Sequence, residues 1–286
     1  MSIEDFIIKI YVCISDFLKT FSPLRKRGPA PKLSDTEVIT MEVVGEFLGF
    51  GSDKRIFEYF VNHWKHWFPK LGTRVTFVRQ GANLWFVKSE VQKVLSSELP
   101  GNGDIFLFDG MPISTCNVKR VRRKNPFWGE GGFGYCAAKD YKYFGFKGHI
   151  LTNQNGVITD FTIAAANIDE RNVLPELAHG KRGFVIADKG LIRPELTEIL
   201  ASLGLNLQTP LKNNMKDSRP KGYVRNIMNK RRLIETVIGQ LVDRFQIQAM
   251  RAKDLFHLSV KASRKILAHT LGFLFAGSTE FDKVLA

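Results

Sequence analysis

Residues 105–110 read IFLFDG and residues 184–190 read FVIADKG. Each is an apolar run that stops at an aspartate, Asp109 in the first and Asp188 in the second, with glycine directly after it or one residue further on. Short apolar runs rich in Ile, Val and Phe, bounded by turn residues, have the pattern of strands buried on both faces. In an open α/β sheet the carboxyl ends of such strands face the crevice where ligands bind. An aspartate there, with glycine leaving room beside it, has the placement of a reactive group. The competing reading is an aspartate that ends its strand by capping a turn.

Around these two runs strands alternate with helices. Further strands are predicted at 112–116, 144–151, 157–164 and 205–209, with NQNG at 153–156 closing a hairpin. Helical spacing predicts a helix near 170–179, one near 194–203 opened by Pro194, one from about 229 through Leu233, Ile234, Val237, Leu241 and Phe245, and another through Leu255, Leu258, Ile266 and Leu267. This is an α/β mixed sheet flanked by helices. The first hundred residues differ. Phe6, Ile7, Ile10, Ile14, Phe17 and Leu18 mark a helix over 3–20, a basic Pro/Gly linker follows at 22–32, and Ser34 with Glu37 forms a capping box for the next helix. Further helices are predicted at 53–66 and 76–97. The expected organisation is a mainly helical module over 1–100, an α/β domain over 101–250 and a C-terminal helical extension over 251–286.

The 286 residues include 42 Lys and Arg against 28 Asp and Glu, a net charge of +14, and 44% are hydrophobic, which excludes a disordered chain. Cys13, Cys116 and Cys136 form no CxxC pair, excluding a disulfide framework or a cysteine zinc knuckle and fitting reduced thiols in the cytoplasm. Glu4, Asp5 and Asp16 interrupt the apolar N-terminus as a signal peptide, and charge breaks every apolar run short of a membrane span, so no membrane partner is expected. The positive charge is concentrated. Residues 119–124 read KRVRRK, with Lys119, Arg120, Arg122, Arg123 and Lys124, and a second basic segment covers 212–232. Such clusters are the footprint of a nucleic-acid partner. Lys139, Lys142 and Lys147 lie in or beside a strand, facing either phosphate or simply solvent.

A third carboxylate, Glu235, falls in NKRRLIETVIGQL at 229–241, four residues after Arg231 and so on the same helix face. Arg231 and Arg232 are suited to bidentate phosphate contacts; the plainer reading is an ion pair between Arg231 and Glu235 on a solvated face. Together, Asp109, Asp188 and Glu235 would hold two divalent ions roughly 3.5–4 Å apart. Hard oxygen ligands and a phosphate substrate suit Mg²⁺, with Mn²⁺ as a substitute. Metal would reconcile an acidic centre with a basic surface. His149 and Asp169 are read either as supports of this centre or as locally bonded groups, Cys116 and Cys136 as small buried hydrophobes, and His63 and His66, beside Trp64 and Trp67, as packing.

The blocks FLFDGMPI at 106–113, GYCAAKDYKYFGFKGHIL at 134–151, ADKG at 187–190 and RRLIETVIGQLVDRFQI at 231–247 together resemble bacterial insertion-sequence transposases of the DDE class. The likeness runs over roughly 30–260 and implies a ribonuclease-H-like catalytic domain. It makes Asp109 and Asp188 the two catalytic aspartates, Glu235 the glutamate of the later catalytic helix and Arg231 the arginine of a YREK-like signature, whose lysine would fall at Val242. Gly110 stands where a small hydroxyl residue is common. The implied activity is metal-dependent end cleavage and strand transfer, with an end-binding or dimerising N-terminal module and a homo-oligomer holding the element's terminal repeats against target DNA. Two other readings are a metal-dependent nuclease of the same fold and a noncatalytic, domesticated DNA-binding protein.

Overall fold

The computed structural model describes residues 2–21, 31–101, 103–137, 140–212 and 214–275; Lys139 and most of the 22–32 linker lie outside the described residues. The chain forms two compact units. One draws on the described residues of Met1–Leu95, Arg244–Gln246 and Phe256–Ala286, the other on Ser96–Asp243 and Ile247–Leu255.

The first unit is helical: α1 (Ile3–Thr20), α2 (Asp35–Phe47), α3 (Asp53–His63), α4 (Arg74–Asn83), most of α5 (Trp85–Glu98) and, later in the chain, α9 (Leu255–Phe275). Capping boxes start α1 at Ser2 with Asp5 and α2 at Ser34 with Glu37. The segment read as one helix over 76–97 is two. The break falls at Leu84, where Gly81 and Asn83, weak helix formers, end α4. Every residue of α2 from Val38 to Phe47 is buried, including Glu42 and Glu46. A buried carboxylate is costly unless it is paired and hydrogen-bonded. Here Lys88 Nζ donates to Glu42 at 2.7 Å and to the Gly81 carbonyl at 2.9 Å. Arg264 Nε reaches Glu46 at 2.6 Å, its Nη1 reaches Asp53 at 2.7 Å, and Lys265 Nζ meets Glu46 at 2.5 Å. Burial holds the Lys88 and Lys265 ammonium groups below their ordinary pKa; for Arg264 burial works the same way, but Glu46, Glu42 and Asp53 outweigh it.

The second unit is a mixed sheet with helices. Its strands are β1 (Ile105–Asn117), β2 (Gly132–Cys136), β3 (Tyr141–Asn153), β4 (Ile158–Ala165), β5 (Gly183–Ile186) and β6 (Leu205–Gln208), with α6 (Glu170–Leu177), α7 (Pro194–Ser202) and α8 (Lys221–Asp243). The runs 105–109 and 112–116, read as separate strands, are one strand with a register shift between Ser114 and Cys116. β3 pairs antiparallel with β1 along nearly its whole length; on its other side its first half takes β2 and its second half β4. β5 runs parallel to β1, and β6 parallel to β5. An antiparallel meander, a helix, then two parallel strands make a ribonuclease-H-like fold. Phe106, Phe108, Leu151 and Val185 pack against Leu174 and Leu177 of α6 and Leu196 and Leu200 of α7. Among the described residues, no helix is long and apolar enough to cross a membrane, and none of the three cysteines is in a disulfide.

Two elements escape sequence patterning. β2, GFGYC, has glycine at two of its five positions, a residue depleted in strands. α8 begins at Lys221 rather than 229 because its first turns are largely exposed and carry no apolar stripe.

Lys88→Ala, which leaves buried Glu42 with only its 3.3 Å bond to Arg264 and the Gly81 carbonyl without its lysine donor, is expected to cost about 3 kcal/mol by urea denaturation. Lys93→Ala, which removes an exposed pair with Glu90, should change stability by about 0.5 kcal/mol or less. Burial pushes the His269 imidazole, packed against Phe245 and Phe273, down to about 4. The unfolded chain therefore takes up a proton near pH 6.5 that the folded chain refuses, so stability is lost as pH falls from about 6.5 to 4, by up to roughly 3 kcal/mol for this group. His269→Phe should flatten that part of a stability–pH curve.

Candidate active site

β1 has β5 as a neighbour only from Ile105 to Leu107. Beyond that point β1 keeps β3 on one side and has an open edge on the other, which also accommodates Pro112. Asp109 lies two residues past the parting, and Asp188 two residues past the end of β5. Asp109 is partly buried; its Oδ1 accepts the Gly110 N–H at 2.7 Å. Burial pushes its carboxyl up to about 6; the Gly110 bond opposes this, the charges of Glu170 and Asp188 add to it, and Arg231 works against it. Asp109, Asp188, Glu170 and Arg231 thus share one electrostatic neighbourhood.

Asp188 Oδ2 accepts the Gly190 N–H at 3.2 Å, capping a single 3₁₀ turn at Lys189–Leu191, and its Oδ1 lies 3.4 Å from Arg231 Nη2. The other terminal nitrogen of that guanidinium lies 3.3 Å from Glu235 Oε1. One arginine on α8 therefore bridges the second aspartate and the glutamate, while its own Nε is buried without a partner among the described residues. The turn cap and the Arg231–Glu235 pair are both present, inside an arrangement that joins the two carboxylates. Among the described residues, no three Asp, Glu, His or Cys side chains are gathered closely enough to form a metal centre.

Two residues that sequence reasoning missed stand beside the aspartates. Glu170 and Arg171 open α6 behind the cap Asp169. Glu170 accepts a 2.9 Å bond from Lys147 Nζ across Gly110. A Cβ on Gly110 would lie 2.8 Å from that Glu170 oxygen, 3.1 Å from Lys147 Cδ and 3.3 Å from His149 Cδ2, so a larger residue here would displace the Glu170–Lys147 pair. Arg171 donates through Nε and Nη2 to the Gly190 carbonyl at 3.1 and 2.6 Å, tying α6 to the turn that carries Asp188. The first turn of α6 thus braces the middle of β1 at Gly110 and the turn after β5. In the sequence these residues show only a helix start. His149 is fully buried, stacked on Phe108, and burial lowers its pKa to about 4, so it is a neutral filler beneath Gly110.

Lys119, Arg120, Arg122, Arg123 and Lys124 follow the end of β1, all exposed and with no carboxylate partner among the described residues. Lys142 and Arg232 are exposed, Lys147 is committed to Glu170, and Arg231 to the carboxylates. Lys139 is outside the described residues.

Residues 101–255 match the family described as "Transposase DDE domain", and the protein belongs to that family. Among solved structures the chain is similar to the piggyBac transposase in a synaptic complex with hairpin DNA, with 10% identity and a TM-score of 0.52, over 98% of this chain and 74% of that one. At that identity the likeness is one of fold. Among curated proteins none matches.

Arg171→Ala removes two bonds to the Gly190 carbonyl. It is expected to cost about 1–2 kcal/mol, with faster amide hydrogen exchange in the turn after Asp188 and little change in the antiparallel β1–β3 core.

Proposed function

We propose that the protein is a DNA transposase that cuts at the ends of an insertion sequence and joins the freed 3′-hydroxyl to target DNA, with Asp109, Asp188 and Glu235 as its catalytic carboxylates. The observation that carries this reading is Arg231: it places Glu235 of α8 beside the Asp188 turn, while Asp109 feels the charges of both Asp188 and Arg231. Family membership supplies the reaction class.

The donor chemistry fits a hard divalent cation. Asp109, Asp188 and Glu235 offer only carboxylate oxygens, and the carboxylates around Asp109 already disfavour its ionised form, a repulsion that positive charge relieves. These three residues would hold Mg²⁺ or Mn²⁺ as the pair of a two-ion site. When bound, such ions supply activation of the attacking oxygen and stabilisation of the leaving oxygen. The chain's own contribution is orientation. Glu170 and Arg171 brace β1 beside Asp109 and the turn that carries Asp188, and Arg231 offers a forked donor that neutralises carboxylates and suits a phosphate.

Lys119, Arg120, Arg122, Arg123 and Lys124, with Lys139, Lys142 and Lys147, Arg231 and Arg232, are the proposed phosphate contacts; such contacts set position rather than sequence preference. We assign catalysis to 101–250, end recognition or dimerisation to the helices of 1–100, and a supporting role to the extension 251–286. Two DNA ends must be held together for transposition, so a homo-oligomer on double-stranded DNA is the working form, in the cytoplasm and on the nucleoid.

Labelled duplexes carrying the element's ends, incubated with Mg²⁺ or Mn²⁺, should yield metal-dependent cleavage and joined strands with the wild type and neither product with Asp109→Asn or Asp188→Asn, which should still bind DNA. Cleavage without joining identifies a nuclease; binding with neither product identifies a noncatalytic descendant. Arg122→Ala is expected to weaken binding evenly across sequences and to lower the logarithmic salt slope by about one.

A further inference from the structure

β2 and the first residues of β3 form a ribbon with two different faces. On one, Gly132 packs on Asn167, and Gly134 on Tyr143 and Ala166, so closely that a Cβ would collide at either glycine. The other face is aromatic. Phe133 lies opposite Phe144 and Tyr135 opposite Lys142 in the strand register. The Phe144 ring is buried because Trp128 stacks over it at 6.4 Å and Phe133 meets it at 5.2 Å. Those covering rings are themselves open to solvent: Trp128 is 49% exposed, Phe133 54% and Tyr135 55%. Tyr135 is steadied by a 2.6 Å bond from its hydroxyl to Asp140. The basic run 119–124 leads directly into Trp128 through Asn125, whose side chain is held on Cys116 and the Phe127 N–H.

From this juxtaposition we propose that the outer face of the β2–β3 ribbon is a stacking platform for unpaired bases of a DNA strand whose phosphates are held by Lys119–Lys124 and Lys142. The inference rests on the protein acting on DNA. Aromatic faces beside unpaired cations fit a single strand, because every unpaired base offers a π-face to stack on while its backbone offers charge. A blunt duplex keeps its bases stacked on one another and can use only the cations. A second copy of this chain is a poorer occupant of the same face. Residues 118–143 hold seven Lys and Arg against Glu130 and Asp140, so two such faces would bring like charges together.

The test compares full-length protein on a blunt duplex and on the same duplex with a short unpaired oligothymidine tail, by fluorescence anisotropy without divalent metal. The tail is expected to tighten binding about tenfold or more. Phe133→Ala and Trp128→Ala should each remove most of that gain and leave blunt-duplex affinity unchanged, while Phe133→Tyr retains it. Phe133 is more than half exposed, so its substitution keeps the test meaningful if Trp128→Ala fails to fold. A tail that adds nothing, or a gain that survives Phe133→Ala, overturns the platform while leaving the DNA-binding reading intact. Conversion of an oligomer to a monomer by Phe133→Ala, with the tail preference unchanged, overturns it in favour of a second copy. Failure of the wild type to bind even the blunt duplex removes the reading on which the platform rests.

Discussion

The sheet unit depends on an unequal pairing of one strand. β1 is held by β3 through nearly all of its thirteen residues and by β5 through only three. Antiparallel pairing on one side keeps the strand rigid, and the parallel neighbour is lost two residues before Asp109. A longer β5 would seal that edge with backbone hydrogen bonds and carry the Asp188 turn away from it. α6 stabilises the parting from one side, with Glu170 over Gly110 and Arg171 on the Gly190 carbonyl, and α8 brings Arg231 and Glu235 to it. The local strand chemistry and the tertiary braces thus serve the same few side chains.

Charge is placed by opposite rules in the two units. In the helical unit, buried Glu42 and Glu46 are matched by Lys88, Arg264 and Lys265, and the polar demands of a core helix are met inside the core. Around Asp109 the balance is left incomplete: burial and neighbouring carboxylates raise its pKa while Arg231 offsets only part of that effect. Incomplete compensation of this kind is characteristic of sites built to bind or react. The basic residues that outnumber the acids in the chain are instead spread over exposed surface, above all the stretch from Lys119 to Lys124.

Much of this was legible from the residues alone. The two apolar runs located the start of β1 and the whole of β5, although Asp109 falls inside β1 rather than at its end; the turn at 153–156 placed the β3–β4 hairpin, and Ser34 with Glu37 marked the start of α2. What stayed hidden had no local signal. Glycine at alternate positions disguised β2, because its strand character comes from close packing on Asn167, Tyr143 and Ala166 rather than from propensity. Glu170 and Arg171 looked like the start of a helix, since their partners Lys147 and Gly190 lie about twenty residues away in opposite directions along the chain. The resemblance in motifs named the family before the topology was known, but the bridging of Asp188 and Glu235 by one guanidinium is a fact of geometry that no spacing rule contains.

The ion-paired core of the helical unit also sets an order of events during synthesis. Its carboxylates are supplied by residues 42–53 and its cations by Lys88 near the beginning and by Arg264 and Lys265 close to the end. α2 therefore leaves the ribosome with Glu46 unmatched and waits 218 further residues for Arg264, the first of its counter-charges. The sheet unit, contiguous over most of 96–243, has all of its strands in hand before α9 appears. At ordinary elongation rates of about 5–20 residues per second, that interval is on the order of ten seconds or more. The chain's first helices are thus among the last parts of the protein to reach their final packing, and a truncation before α9 would spare the sheet while leaving the helical unit with buried charge it cannot neutralise.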